Sequence, residues 1–203
     1  MINAGDITGG TGGVFIQGTA LNVAPGEERS GLTASIANTG TISGTGDFGF
    51  AADDGDGATF GGDLATATLI NSGTITSAFH VGVSQRSLAD LTITNEAGGR
   101  IEGATSGISS GSGGTLAVVN AGTIRGNGSY DGLDAPPDAG ITIATAGSSV
   151  TNSGTISGAG AGITTAFLFD SQTSSLVGLA VGTSIVNSGT IAFIRWMPTS
   201  SST

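Results

Sequence analysis

The chain has 203 residues, of which 38 are glycine, 4 are proline and none is cysteine, and its net charge is −10. Disorder is excluded because only 10% of the residues are charged, whereas disordered chains are rich in charge and poor in aliphatic residues. The five basic residues against 15 acidic ones exclude nucleic acid and anionic lipid as partners, since both are bound through clusters of Lys and Arg. The lack of cysteine excludes disulfide and thiolate-metal scaffolds, and we expect no cofactor.

A short motif, Asn-(Ala/Ser/Thr)-Gly-Thr-Ile, recurs along the chain. It begins five times, at Asn38, Asn71, Asn120, Asn152 and Asn187. Variant copies begin at Asn3, with Asp in place of Thr, and at Asn95, with two extra residues in the turn. The spacings between successive asparagines are 35, 33, 24, 25, 32 and 35 residues. The shortest spacings indicate a unit of about 24 residues, which longer units exceed by insertions.

Each unit contains three short apolar stretches in a fixed order. The first ends at the motif Asn, the second contains the motif Ile, and the third is a Gly-apolar step such as Gly82-Val83. The stretches alternate between apolar and polar residues, as in Leu91-Thr-Ile-Thr-Asn95, which is the period of a β-strand. Three strands in every 24 residues predict an all-β, right-handed parallel β-helix of about six coils.

The repeated residues predict ladders that run through the coils. Stacked Asn side chains would hydrogen-bond from coil to coil, at Asn38, Asn71, Asn95, Asn120, Asn152 and Asn187. The motif isoleucines would form a parallel apolar ladder in the core, at Ile42, Ile75, Ile101, Ile124, Ile156 and Ile191. We attribute the motif Gly to a positive φ in the turn, which glycine adopts without strain.

Insertions are the places where a function can reside, because core ladders do no chemistry. Three insertions are predicted after the third strand of a coil, around residues 17–31, 51–65 and 165–181. A fourth, around residues 127–138, is predicted to precede that strand. The second insertion is expected to follow a strand that begins at Gly49-Phe50.

The second insertion is acidic. Asp53, Asp54, Asp56 and Asp63 offer carboxylate oxygens of the kind that Ca²⁺ prefers. Their spacing matches neither an EF-hand loop nor the nonapeptide calcium repeat, so a solvated acidic loop is the alternative interpretation.

Two further features have both a functional and a structural interpretation. Tyr130 and Asp131 lie in a proline-containing insertion that could contact carbohydrate or simply form a rigid surface turn. His80 is the only histidine and cannot build a zinc site without cysteine, so we interpret it as a surface or turn residue.

The motif Asn-Ser-Gly-Thr-Ile, followed by a Gly-Ile strand, resembles the passenger region of bacterial autotransporters, the type V secreted proteins of Gram-negative bacteria. The resemblance covers residues 1–192, which we predict to form one β-helical domain, with residues 193–203 as a non-repeat tail. Members of that family usually carry a signal peptide and a C-terminal outer-membrane barrel, neither of which we find in this sequence. We therefore expect a fragment of a longer protein. The alternative is a hydrophobic cap on the solenoid, formed by Phe193, Ile194, Trp196 and Met197.

The resemblance implies a location at the cell surface or outer membrane, or secretion, in a Gram-negative bacterium. The expected partners are a host or cell-surface protein or a glycan, and membrane contact would run only through the absent barrel. We expect a non-enzymatic structural stalk that presents loops. The alternative is a β-helix protein that binds or cleaves polysaccharide, because glycoside hydrolysis needs two carboxylates.

Overall fold

The computed structural model contains three parallel sheets that run side by side along the chain. It describes residues 1–18, 31–46, 55–111, 114–128, 138–165, 167–170, 175–178 and 182–193. Within these ranges there are 22 strands, numbered here in chain order, and no helix.

The first and second sheets each contain seven strands. Sheet 1 consists of β1 (Ile2–Asn3), β4 (Thr33–Asn38), β7 (Thr66–Asn71), β10 (Asp90–Asn95), β13 (Leu116–Asn120), β16 (Ser149–Asn152) and β21 (Ser184–Asn187). Sheet 2 consists of β2 (Asp6–Gly9), β5 (Thr41–Gly44), β8 (Thr74–Ser77), β11 (Arg100–Gly103), β14 (Thr123–Gly126), β17 (Thr155–Gly158) and β22 (Thr190–Phe193).

The third sheet contains six strands. Sheet 3 consists of β3 (Gly12–Gly18), β6 (Asp56–Gly62), β9 (Val83–Ser87), β12 (Ile108–Ser110), β15 (Ala139–Ile143) and β18 (Ala161–Thr165). Because successive members of each sheet are one coil apart in the chain, the fold is a parallel β-helix, which confirms the prediction. Six coils have three strands each (β1–β3 in coil 1 to β16–β18 in coil 6), and coil 7 adds β21 and β22.

The strands stack with equivalent residues directly opposite one another. Asn71, for example, pairs with Asn38 on one side and Asn95 on the other, and Ile124 pairs with Ile101 and Ile156. The interior is consequently built from columns of like side chains. Ile36, Leu69, Ile93, Val118 and Val150 form one such column and are at most 1% exposed. Burying each aliphatic side chain contributes roughly 1.5–3 kcal/mol.

Part of the predicted insertion at residues 165–181 is itself folded. β19 (Phe167–Asp170) and β20 (Ser175–Gly178) pair with each other in antiparallel fashion and belong to none of the three parallel sheets. They lie in the chain between coil 6 and coil 7. The insertion therefore contains a two-stranded hairpin.

The third strand of coil 2 differs from the prediction. β6 pairs with β3 and β9, and it places Gly57-Ala58 in the column that we had assigned to Gly49-Phe50. The reason is packing: Ala58 and Phe60 alternate into the core and are fully buried. The extra residues of coil 2 therefore precede its third strand and do not follow it, and Gly49-Phe50 lies outside the described residues.

Candidate functional site

In the structure, the six asparagines proposed for the ladder and Asn3 stack in one continuous row. Each Nδ2 donates a hydrogen bond to Oδ1 of the next asparagine along the chain, at 2.7–2.8 Å. The ladder asparagines from Asn3 to Asn152 are all buried. The ladder is thus an internal, unidirectional chain of amide hydrogen bonds through all seven coils.

Each amide also holds its own turn and the turn of the next coil. Asn120 Nδ2 lies 3.2 Å from the carbonyl oxygen of Gly122 in its own turn and 3.2 Å from that of Thr155 in the next coil. Asn71 contacts the carbonyl oxygens of Gly73 and Arg100 in the same way. The motif therefore needs Asn because one side chain must supply two N–H donors and an acceptor at the same place.

The role we had assigned to the motif glycine is wrong. Gly40, Gly73 and Gly122 are not among the glycines with positive φ. A Cβ added at Gly73 would instead lie 2.1 Å from the carbonyl oxygen of Gly40, and one at Gly122 would lie 2.2 Å from that of Gly99. The glycine is required because the carbonyl of the preceding coil approaches too closely for any side chain.

The motif isoleucines form a column beside the ladder. Ile42, Ile75, Ile101, Ile124 and Ile156 are fully buried, and Ile191, in the last coil, is partly buried. A second glycine column borders it: a Cβ on Gly107 would lie 2.7 Å from Cγ2 of Ile124. The isoleucines therefore fill the corner between sheets 2 and 3, where only glycine fits opposite them.

Of the six loop-binding candidates, the structure describes Asp56 and Asp63, which lie at opposite ends of β6. Asp56 begins β6, a buried strand, and is not in a loop, whereas Asp63 follows the other end of that strand and is half-buried. Asp53, Asp54, Tyr130 and Asp131 lie outside the described residues. Among the residues that the structure describes, no three His, Cys, Asp or Glu side chains are close enough to hold a metal ion.

Asp56 is the centre of a polar cluster on sheet 3. Its Oδ2 accepts hydrogen bonds from the Arg86 guanidinium and from the Thr59 hydroxyl, both at 3.1 Å, and its Oδ1 accepts from the Val81 N–H at 3.1 Å. The Asp56 side chain is fully buried and that of Arg86 is 26% exposed. The Arg86 Nε–H also donates to Ser84 Oγ at 2.8 Å. The ion pair and the hydrogen bonds thus link coil 2 to coil 3.

This ion pair could not be predicted from the sequence, because its partners are 30 residues apart and Arg86 has no adjacent acidic residue in the chain. Predicting the pair requires the correct position of β6, which the sequence pattern did not indicate. With Asp56 assigned to a strand, the coil repeat sets it beside Val81 in the next coil, five residues before Arg86. Arg100 pairs with Glu102 on the outer side of sheet 2, and this pair also went unpredicted.

Burial raises the pKa of the Asp56 carboxyl above its ordinary value of 3.8, against the opposing effects of Arg86, the Val81 N–H, Thr59 and His80. A carboxyl whose pKa is higher in the folded state favours folding when it is protonated. That contribution is complete below the unfolded-state pKa and is lost as the pH rises through the folded-state pKa. At neutral pH the buried carboxylate thus depends on its partners.

Replacing Arg86 with methionine tests this dependence. We expect Arg86→Met to lower the free energy of unfolding by about 3 kcal/mol at neutral pH, because it leaves a buried carboxylate without a counter-charge. The loss should shrink at acidic pH, where Asp56 becomes protonated. Urea denaturation at both pH values measures the difference. The control is Arg125→Met, at an exposed arginine of β14, which should change stability by no more than about 0.5 kcal/mol.

His80 lies in the turn before β9, as predicted, and is partly buried. Its backbone N–H donates to Ser77 Oγ at 2.8 Å, and Ser77 Oγ donates to the carbonyl oxygen of Gly55 at 2.6 Å. The His80 ring packs against Gly55, where an added Cβ would lie 3.1 Å from its Cδ2. Its buried Nε2 has no hydrogen-bond partner in the described part of the chain. His80 thus helps to pack the turn beside Asp56.

An apolar column lies on the outer, solvent-exposed face of sheet 1. It consists of one outward-pointing residue from each strand, namely Ile2, Ala37, Ile70, Thr94, Val119, Thr151 and Val186. Ile70, Val119 and Val186 are 41%, 48% and 61% exposed. The column gives this face a regular strip of methyl groups that water reaches along its whole length.

The described residues contain no helix that is long and apolar enough to cross a membrane. Comparison with protein-family models, with curated proteins and with solved structures gives no match to this chain.

Proposed function

We propose that the chain is a non-enzymatic structural stalk, a rigid β-helical rod that displays its insertions at the cell surface. The observation that supports this most directly is the asparagine ladder, which continues without interruption from Asn3 to Asn187. A uniform interior of this kind makes each coil depend on its neighbours and gives stiffness along the axis. A stalk needs this property and no catalytic group.

The proposed partners are a host or cell-surface protein or a glycan. The apolar column of sheet 1 supports a protein contact, because a strip of exposed apolar side chains is typical of interaction surfaces. The insertions at residues 19–30 and 129–137 join β3 to β4 and β14 to β15, and we include them among the proposed contact sites. The three parallel sheets hold the apolar column, and the strands on either side of each insertion, in fixed positions.

We further propose that the rod is a segment of an autotransporter passenger, exported by a Gram-negative bacterium. The parallel β-helix and the Asn-Ser-Gly-Thr-Ile repeats support this proposal. The repeat architecture also suits export, since folding can begin in one coil and propagate to the next. A chain without cysteine folds in the same way in reducing and oxidising compartments.

The alternative function, binding or cleavage of polysaccharide, has less support. Glycoside hydrolysis needs two available carboxyl groups on either side of the scissile bond. Asp56 is fully buried, and its two oxygens already accept hydrogen bonds from Arg86, Thr59 and Val81. The described part of sheet 3 therefore offers this carboxylate as a structural partner and not as a general acid or base.

Immunolabelling tests the proposed location. Antibodies raised against the purified chain should label intact cells of the organism that encodes it, and protease added to those cells should remove the label. Labelling that appears only after the cells are permeabilised would contradict surface display. A cytoplasmic protein with its own antibody serves as the control for cell integrity.

A further inference from the structure

The last coil presents an open edge that continues the interior of the rod. In β16 the inward-facing Val150 and Asn152 are each 1% exposed, because coil 7 covers them. The equivalent residues of β21 are open: Ile185 is 47% exposed and Asn187 is also exposed. The end of coil 7 thus has the surface on which another coil would stack.

In the motif turns, the backbone N–H groups of each coil donate to carbonyl oxygens of the preceding coil, whereas the ladder Nδ2 donates to the following coil. The two ends of the rod therefore differ at this turn. The backbone N–H of Ser188 donates to Asn152, and that of Thr190 donates to Gly154, each toward the carbonyl of the preceding coil at 2.8 Å. At the open edge the matching acceptors are the carbonyl oxygens of Asn187 and Gly189. Asn187 Nδ2 donates only within its own turn, to the Gly189 carbonyl oxygen at 3.2 Å, among the described contacts.

The first coil has the complementary groups. By the same register, the N–H groups that would meet those carbonyls belong to Ala4 and Asp6, both of which are exposed. Asn3 Oδ1, which would accept from Asn187, accepts only from the Gly5 N–H at 3.3 Å among the described contacts. At the motif turn, coil 7 therefore presents the side-chain donor and backbone acceptors, and coil 1 presents the side-chain acceptor and backbone donors.

Gly5 keeps the space that stacking requires. At the equivalent glycines of later coils an added Cβ would lie 2.1–2.2 Å from the carbonyl oxygen of the preceding coil, as at Gly40, Gly73, Gly122, Gly154 and Gly189. At Gly5 an added Cβ meets nothing within 4 Å. At Gly5 the surface of coil 1 therefore has room for the carbonyl oxygen of another coil.

From these complementary edges we propose that the 203-residue chain, when it stands alone, associates head to tail, with coil 1 of a second copy stacked on coil 7 of the first. The contact places Asn3 on Asn187 and Ile7 on Ile191, and it repeats the coil-to-coil interface already present within the chain. Because the two surfaces differ, the association does not close on itself and extends the rod. Added salt should strengthen it by screening the net charge of −10 on each copy.

Sedimentation velocity over a wide concentration range tests this stacking. The full chain should form species that grow with concentration and with salt, whereas Gly5→Ala should sediment as a single chain. The added methyl has free space within one chain, but it would meet the Gly189 carbonyl of a stacked copy. The melting temperature of Gly5→Ala in dilute solution, expected to equal that of the unaltered chain, verifies that the variant is folded.

Gly10→Ala is the matched control. An added Cβ at Gly10 also meets nothing within 4 Å, but this position already carries a side chain in other coils, as at Thr45, Ala78 and Ala104. Gly10→Ala should therefore associate like the unaltered chain.

Two results would overturn the proposal. One is a single sedimenting chain at every concentration. The other is association of Gly5→Ala at the level of the unaltered chain, which would place the contact on another face. Because the purified chain is measured, neither result bears on surface display.

Discussion

Replacing Asn120 with leucine is expected to lower the free energy of unfolding by about 4 kcal/mol, since it removes two buried ladder hydrogen bonds and leaves the buried Oδ1 of Asn152 without its donor, at roughly 1–3 kcal/mol each. Asn95 Nδ2 loses its acceptor and Asn152 Oδ1 loses its donor, both from hydrogen bonds of 2.7–2.8 Å. Leucine has the same number and branching of side-chain heavy atoms as asparagine, so no cavity forms, and its larger methyl groups add to the cost of the lost hydrogen bonds. Chemical denaturation monitored by circular dichroism measures it.

The control for this substitution is the end of the same ladder. Asn187→Leu removes one ladder hydrogen bond at an exposed position, so its expected effect is no more than about 1.5 kcal/mol. If both variants lose the same stability, or if neither loses any, the ladder does not contribute what its geometry implies.

Replacing Gly122 with alanine is expected to destabilise the chain by about 3 kcal/mol through overpacking. The new Cβ would lie 2.2 Å from the Gly99 carbonyl oxygen, 2.5 Å from that of Glu96 and 2.7 Å from Asn95 Nδ2. These are backbone atoms and a ladder amide, none of which can move without separating coils 4 and 5. Thermal and urea unfolding both measure the loss.

The outcome at Gly122 is judged against Gly10→Ala. That substitution meets no atom within 4 Å, and it should leave stability unchanged or raise it by about 0.5 kcal/mol through a less flexible unfolded chain. Equal stability of the two alanine variants would contradict the close approach of successive coils at the motif glycine.

The architecture of the rod could be predicted because the same sequence motif recurs from coil to coil. Each Asn-x-Gly-Thr-Ile turn places an asparagine and an isoleucine at fixed positions, and parallel stacking in register then converts equal positions into columns. The prediction of the ladder from Asn38 to Asn187 needed only this register. Even the variant turn at Asn95, with two extra residues, keeps its place in the ladder.

The third strand of coil 2 could not be predicted from so short a signal. A Gly-apolar step consists of two residues, and both Gly49-Phe50 and Gly57-Ala58 provide one. The spacing from Ile42 favours the first, whereas burial of Phe60 and pairing with β3 and β9 select the second. Tertiary packing outweighs local spacing here, and the position of Asp56 changes with it.

The role of the motif glycine could not be predicted for a different reason. A glycine in a turn is equally compatible with a positive φ and with a close backbone approach, and the sequence contains nothing that separates the two. Gly98 does have a positive φ of 86°, but it lies in the one turn with extra residues. The contact at Gly73 needed the neighbouring coil in place before it could be recognised.

The length of the rod tests most directly the claim that its coils are equivalent spacer units. Residues 96–120 form one repeat, which can be inserted once or twice after Asn120 so that Asn again precedes each turn. Small-angle X-ray scattering, in the Gly5→Ala background, should show the maximum dimension increasing by about 4.8 Å for each added copy. A dimension that stays constant, or an added repeat that unfolds the chain, would contradict the account of the molecule as a stalk of stacked coils.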